Sequence, residues 1–422
     1  MLGVHNIEQR ITLMALTISV VTLFIAPLSI YANAFRNPPG SSSALALDGA
    51  KSVMVDDASA ISVNPANMSK NPKNTAMLAF TFIDGNSKFT SPQGRTTETR
   101  DSFVTLPDVY LIAPLGDSKF VSGLGITTPY GQSVKWPKES GLPYFTEMRL
   151  VDVAPSLSYK ISDTLSIGGS LDLYLSQLET KQMIPWSSVT GNPAAPSGTI
   201  RLKGDDTDIG ATLAVAWDMT KQQHLAVVYH SAFDMNYDGD TDIDGIPQPL
   251  SPLISGHSDF GTTIKFPSLA ALGYAIDITD TVTIGTEIEW IKYSRFNNMP
   301  IDIGVNNASG LAPRQIQQNW DDIWTYGLSG KWRYSDSITL RGSYKYLESP
   351  IPDATASPTL PDGDKHVVGI GIGWVSGNQR VDAGYSYSFI DDRNVSENQN
   401  PAYNGKYDMD SQLFSVAYSY AL

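Results

Sequence analysis

The chain has no cysteine, and that absence excludes disulfides, thiolate catalysis and Cys-based zinc sites. Positive charge is scarce too. Lys and Arg number 29 against 43 Asp and Glu, a formal net charge of −14, so the clustered cations that a nucleic-acid surface needs are missing. Charged residues of both signs are only 17% and the mean hydropathy is −0.14, which fits neither a disordered polyelectrolyte nor a bundle of apolar helices. The five histidines are scattered, His5 among them, and no spacing sets a Ser beside a His with an orienting partner, so catalysis is not expected. Nothing indicates a cofactor or a metal centre. At 422 residues the length alone would allow two or three soluble domains, but closed barrels exceed the usual domain size, so length does not decide.

What is present is rhythm. From Lys73 onward, short segments alternate apolar and polar residues, joined by connections that are by turns very short and long. In Thr281 to Phe296, Val282, Ile284, Ile288 and Trp290 share one face, and Thr283, Gly285, Glu287 and Glu289 the other. Strand side chains alternate with period two, so the faces must meet different media, and in a transmembrane barrel these are lipid outside and a wet lumen inside. Tyr (20) outnumbers Phe (14), as suits a membrane interface. Strands are predicted at Thr75–Ile83, Phe103–Leu115, Phe120–Thr128, Met148–Ile161, Leu165–Lys181, Asp205–Trp217 and His224–Tyr237. The rest are predicted at Phe260–Ile276, Val282–Phe296, Trp320–Tyr334, Ile338–Leu347, Lys365–Val375, Arg380–Ile390 and Asp408–Leu422. The fold class is therefore all-β, a transmembrane antiparallel β-barrel of about 14 strands, with short turns on the periplasmic side and long loops outside.

The amino end reads as a signal peptide over residues 1–34. Arg10 precedes the apolar run Ile11 to Ile30, Pro27 interrupts it, and Ala32-Asn33-Ala34 offers a small-x-small cleavage site before Phe35. A membrane anchor is the alternative for this run. Phe35 to Pro72, rich in Ala, Ser, Asn and Asp, fits neither leader nor barrel unless it packs inside.

Within that segment, Val55-Asp56-Asp57-Ala58-Ser59-Ala60-Ile61 and Asn64-Pro65-Ala66 resemble the amino-terminal hatch of FadL-type outer-membrane transporters of long-chain fatty acids and other hydrophobic compounds. The likeness continues through Pro129-Tyr130-Gly131, Phe266-Pro267-Ser268, Ala271-Leu272-Gly273-Tyr274, Trp320-Asp321-Asp322 with Tyr326-Gly327, Leu340-Arg341-Gly342-Ser343-Tyr344 and Leu360-Pro361-Asp362. Asn67 stands where the family commonly has Gly, and Asn also tolerates φ > 0. The resemblance implies a hatch over 35–72 in a barrel over 73–422, in the bacterial outer membrane. It also implies a monomer that works with outer-membrane lipid, is inserted by the barrel assembly machinery, and takes up long-chain fatty acids or other hydrophobic molecules. Capture at the outer loops, an apolar lumen pocket, hatch gating at Asn64, Pro65 and Ala66, and lateral release beside a kinked strand follow from the same resemblance. Aromatic hydrocarbons or alkanes are alternative substrates; a general porin or a structural surface barrel are the rival functions.

Several constellations carry two readings. Arg341 and Lys345, on one inward face, could hold a substrate carboxylate or pair with lumen acids such as Glu287, Glu289 or Asp172. Gly123 and Gly125, beside Pro107 and Pro114 of the preceding strand, suggest either a lateral gap or ordinary curvature. Asp238, Asp240, Asp242 and Asp244 before Gly245 approach a calcium loop, but Ser251 stands at the twelfth position where a Glu is required and Pro247 and Pro249 intervene, so a solvated acidic loop is expected over a weak divalent site. Gly369-Ile370-Gly371-Ile372-Gly373 lies in a strand pattern, so small residues facing a crowded lumen explain it better than a phosphate loop.

Overall fold

The alternation carries through to a closed ring. In the computed structural model the described residues are 34–100, 103–248, 250–252, 254–304 and 314–422; the expected signal segment as far as Asn33 lies outside them. Fourteen antiparallel strands form the wall. They are β1 (Thr75–Thr90), β2 (Phe103–Pro114), β3 (Phe120–Thr127, resuming at Gly131–Lys135), β4 (Phe145–Lys160), β5 (Leu165–Ile184), β6 (Gly198–Asp218) and β7 (Gln223–His230, then Phe233–Asp244). The circuit continues with β8 (His257–Phe266, then Leu269–Asp277), β9 (Val282–Ile291), β10 (Ile323–Arg333), β11 (Ile338–Leu347), β12 (Lys365–Ser376), β13 (Gln379–Ile390) and β14 (Gly405–Ala421). Each pairs with its neighbours in sequence, and β14 returns to β1 from Thr75↔Ala421 to Thr90↔Lys406, so the sheet closes on itself.

Side chains sort as the period demands. On β5 the outward Leu171 and Leu175 are exposed, whereas the intervening Asp172 and Tyr174 are buried. On β9, Glu287 and Glu289 are buried, whereas Ile284 and Ile288 are exposed. Trp217, Trp332, Trp374 and Tyr420 point outward beside the short turns, making one aromatic girdle.

Several strands outrun their predicted limits. β1 continues to Thr90 and β6 begins at Gly198, because alternation persists into segments whose Gly, Ser and Asp content reads as loop. Asp238 to Asp244 likewise belongs to β7 and is strand, not loop; there Asp242 pairs with Arg201 at 3.2 Å and with His257 at 2.9 Å. Pro267, which has no N–H to give, falls between the two parts of β8.

Residues 35 to 71 run inside the ring as three short helices, α1 (Ser42–Ala46), α2 (Lys51–Met54) and α3 (Ala60–Val63), and a 3₁₀ turn, Pro65–Lys70. Missing side chains on the wall admit them. A Cβ on Gly327 would lie 2.3 Å from Gly49 Cα, one on Gly168 2.4 Å from Ala66 N, and one on Gly371 2.5 Å from the Ala46 Cβ. Gly369 similarly faces the Leu45 carbonyl, so the glycine run of β12 is part of the hatch seat.

Candidate functional site: hatch and lumen cavity

Asn64 closes the hatch turn. Its Oδ1 accepts from Ala66 N at 3.0 Å and its Nδ2 donates to the Ser52 carbonyl at 2.8 Å, while Pro65 opens the 3₁₀ turn with φ already fixed. The Ala66 carbonyl accepts from Ser158 Oγ of β4, and Ser69 Oγ donates to Ser166 Oγ of β5, fastening the turn to the wall. Asn67 does not take a positive φ; its amide instead donates to the Ser52 carbonyl at 3.0 Å.

A buried charge network ties the hatch to the opposite wall. Glu289 of β9 receives Arg36 through two bonds of 3.1 and 3.2 Å, Lys51 at 2.9 Å, Lys345 of β11 at 2.6 Å and Thr325 Oγ1 at 2.9 Å. Glu287 accepts from Lys51 Nζ at 3.0 Å and Ser52 N at 2.8 Å, and Asp48 binds Lys51 and Lys345 at 3.0 and 3.2 Å. Three cations thus face three anions. Burial alone would push the Asp48 carboxyl up, but Lys345 and Lys51 hold it below the ordinary carboxylate range. Burial likewise opposes the charge on Lys51, yet Asp48, Glu287 and Glu289 raise it well above the usual lysine value. Arg341 lies four residues from Lys345 on the same strand and binds Asp382 of β13 at 2.8 Å. The two cations singled out in the sequence therefore separate: Lys345 lines the lumen cavity, and Arg341 sits in a pair beyond it.

The head of the hatch ends in aromatic side chains. The Phe35 ring stacks on Trp320 at 5.2 Å and 26°, lies 4.9 Å from Phe266, and meets Tyr293, Phe296 and Tyr130 edge-on at 5.7, 5.8 and 6.2 Å. Phe233 extends the cluster by stacking on Phe266 at 4.5 Å and Tyr174 at 3.8 Å. No spacing in the sequence announces this cage, since its members come from six separate segments. Tyr130, Phe266 and Trp320 nevertheless stand in the motifs that carry the family resemblance.

Next to the cage, the wall itself is interrupted. The β2–β3 ladder runs only from Val109↔Ile126 to Pro114↔Val121, so among the described residues Phe103 to Asp108 have no ladder partner on that side. Gly123 and Gly125 are paired on both flanks, with Ile112 and Ser156 and with Tyr110 and Ala154. Their lack of side chains serves the hatch: Cβ atoms there would meet Met68 Sδ at 2.6 Å and Ile61 Cγ2 at 2.9 Å. The break comes further up, where Thr128 to Tyr130 turn into the lumen. Asn37 N donates to the Pro129 carbonyl at 2.9 Å, Asn37 Nδ2 to the Thr128 carbonyl at 2.7 Å, and Gly131 N to the Phe35 carbonyl at 2.9 Å. The hatch head and the wall break are thus one hydrogen-bonded unit.

Below the cage lies a cavity of about 170 Å³. Hatch residues Arg36 to Gly40, Asp48 and Lys51 line it, as do the wall residues Asp108, Tyr110, Tyr130, Asp152, Asp172, Tyr174, His230, Glu289 and Lys345. Gly40 crosses Asp108 so closely that a Cβ would lie 2.4 Å from its Oδ2.

Residues 25–422 match the family described as "Outer membrane protein transport protein (OMPP1/FadL/TodX)". A long-chain fatty acid transport protein of Salmonella typhi is 23% identical over 395 residues, 87% of this chain and 89% of that protein. The crystal structure of a Pseudomonas aeruginosa FadL homologue superimposes with a TM-score of 0.81 at 20% identity, covering 92% of this chain and 99% of the other. The Pseudomonas putida toluene transporter TodX does so at 0.73 and 17%, with the same coverage.

Proposed function

This chain belongs to the OMPP1/FadL/TodX family of outer-membrane transport proteins, and from that premise we propose how it moves hydrophobic molecules through its barrel. The family consists of transport channels, and the setting is the bacterial outer membrane. A hydrophobic molecule enters from the long-loop side, takes the place of the Phe35 ring in the aromatic cage, and so draws out the hatch head. Phe35 is joined through its carbonyl and Asn37 to the inturned Thr128 to Gly131, so its departure loosens the edge of the wall break. The molecule then leaves sideways through that break into the membrane. The barrel acts as a monomer, with outer-membrane lipid as its acceptor.

The observation that carries this reading is the Phe35 cage: the chain holds one of its own rings where an apolar guest would bind. Each aromatic pair is worth about 0.5–1.5 kcal/mol beyond burial, so exchange for a ligand of similar chemistry is close to balanced. Trp320 reports the exchange. Titration of the purified barrel with toluene should change Trp320 emission, Phe35→Ala should bind toluene more tightly than wild type, and Trp320→Phe should lose the signal. Weaker binding by Phe35→Ala would reject the cage as the ligand site.

A second form of the reading is favoured by the relatives, several of which are long-chain fatty acid transport proteins. In that form Lys345, freed from Glu289 and Asp48, takes the carboxylate, with Arg341 behind it. Lys345→Ala with Arg341→Ala would then weaken dodecanoate binding at least tenfold more than dodecane binding, since charged hydrogen bonds are worth roughly 1.5–3 kcal/mol.

A further inference from the structure

The two walls of the lumen cavity differ in charge. On the β9 and β11 side every cation is committed to an anion: Arg36 to Glu289, Lys51 to Asp48, Glu287 and Glu289, and Lys345 to Asp48 and Glu289. On the opposite side Asp108, Asp152 and Asp172 line the cavity from β2, β4 and β5, each more than nine-tenths buried. Among the described residues, no Lys or Arg forms an ion pair with any of the three. Asp172 accepts from Ser170 Oγ at 2.5 Å and Thr212 Oγ1 at 2.8 Å, and Asp108 Oδ1 accepts from Thr128 N at 3.1 Å. Among the described residues, Asp108 Oδ2 and Asp152 Oδ1 have no donor. Buried acceptors without donors are costly, so a guest that brings N–H groups gains from satisfying them. Tyr130 and Tyr174 line this cavity and also belong to the aromatic cluster, so an apolar tail continues directly from the carboxyl wall into the cage.

We propose that the carboxyl wall receives the head of an aliphatic amine, which makes ammonium-headed hydrophobic molecules the substrate class of this channel. The proposal rests on the uptake reading above and deepens it. An ammonium offers three donors and no acceptor, and its bonds to carboxylates are charge-assisted. A fatty-acid carboxylate brings only further acceptors to the side that Asp108, Asp152 and Asp172 line, and finds on the other wall cations already bound.

The test uses the full mature chain in detergent, with calorimetric titration of decylammonium, decanoate and decan-1-ol at pH 7. Decylammonium should bind at least tenfold more tightly than decanoate, with decan-1-ol between them. Asp152→Asn with Asp172→Asn should lower decylammonium affinity at least tenfold and leave decan-1-ol within twofold of wild type. If that variant does not assemble, Asp108→Asn alone should reduce the amine preference in the same direction. Equal or tighter binding of decanoate overturns the proposal while leaving uptake of hydrophobic molecules in place. An amine preference that survives in the variants overturns it equally. Binding of none of the three probes would remove the uptake reading, and the proposal with it.

Discussion

Glu289 accepts from Arg36, Lys51, Lys345 and Thr325, and so holds the hatch through one side chain. Removing one partner from such a buried network costs about 3–5 kcal/mol, because the others keep their desolvation penalty without the compensating charge. Glu289→Gln leaves three cations facing two anions. It should therefore free residues 36 to 52 to faster hydrogen exchange while strand protection stays unchanged. Lys331→Ala is the control: its pair with Asp56 at 3.2 Å is partly exposed, a class worth about 0–1 kcal/mol, and hatch exchange should scarcely change. Glu287 and Glu289 could be read from the sequence as inward by their alternation with Ile284 and Ile288. Their partners could not. Lys51 lies 236 residues from Glu287, on a segment without strand periodicity, and the turn at Asn64 and Pro65 that folds that segment sets no register against β9.

Among elements, the glycines of the wall mark where the hatch sits. Gly327→Val would drive a side chain into the Gly49 backbone and should expel the hatch from an otherwise assembled barrel, raising single-channel conductance. Gly330→Val, three residues on in the same strand with nothing within 4 Å of its Cβ position, should leave conductance as it is. Asn64→Ala with Pro65→Ala removes a cap worth about 1 kcal/mol and a fixed φ, and should lower hydrophobic uptake while heat-modifiable migration of the barrel stays normal. Strand order, facing and the short turns were legible because a period of two over many residues is unambiguous. Strand ends were not, since Ser87 and Phe89 keep the alternation through a segment whose Gly85, Asn86 and Ser87 read as loop. The lateral break was legible only in its neighbourhood. Pro107 and Gly125 pointed to β2 and β3, but the gap depends on Thr128 to Tyr130 turning inward to bind Asn37, a contact between distant segments.

At the scale of the whole molecule, stability and gating are carried by different parts. The wall closes through sixteen paired positions between β1 and β14, and the hatch contributes no strand to it. Deleting residues 35–71 behind an intact signal should therefore give a folded barrel with raised conductance. Amino-terminal sequencing of the intact protein from outer-membrane fractions should begin at Phe35, which would leave the cage-filling ring at the extreme end of the mature chain; recovery of Met1 would contradict the signal reading. The central claim is that this barrel takes up hydrophobic molecules through a hatch-gated site rather than conducting as an open pore. It is tested most directly by the initial rate of uptake of a labelled hydrophobic tracer into cells whose outer membrane carries this chain as the only such channel, set against the 35–71 deletion. The account predicts rapid, saturable uptake for the full chain and loss of saturation for the deletion. Uptake by the full chain no faster than by cells without it, or saturable uptake that persists unchanged in the deletion, would contradict it.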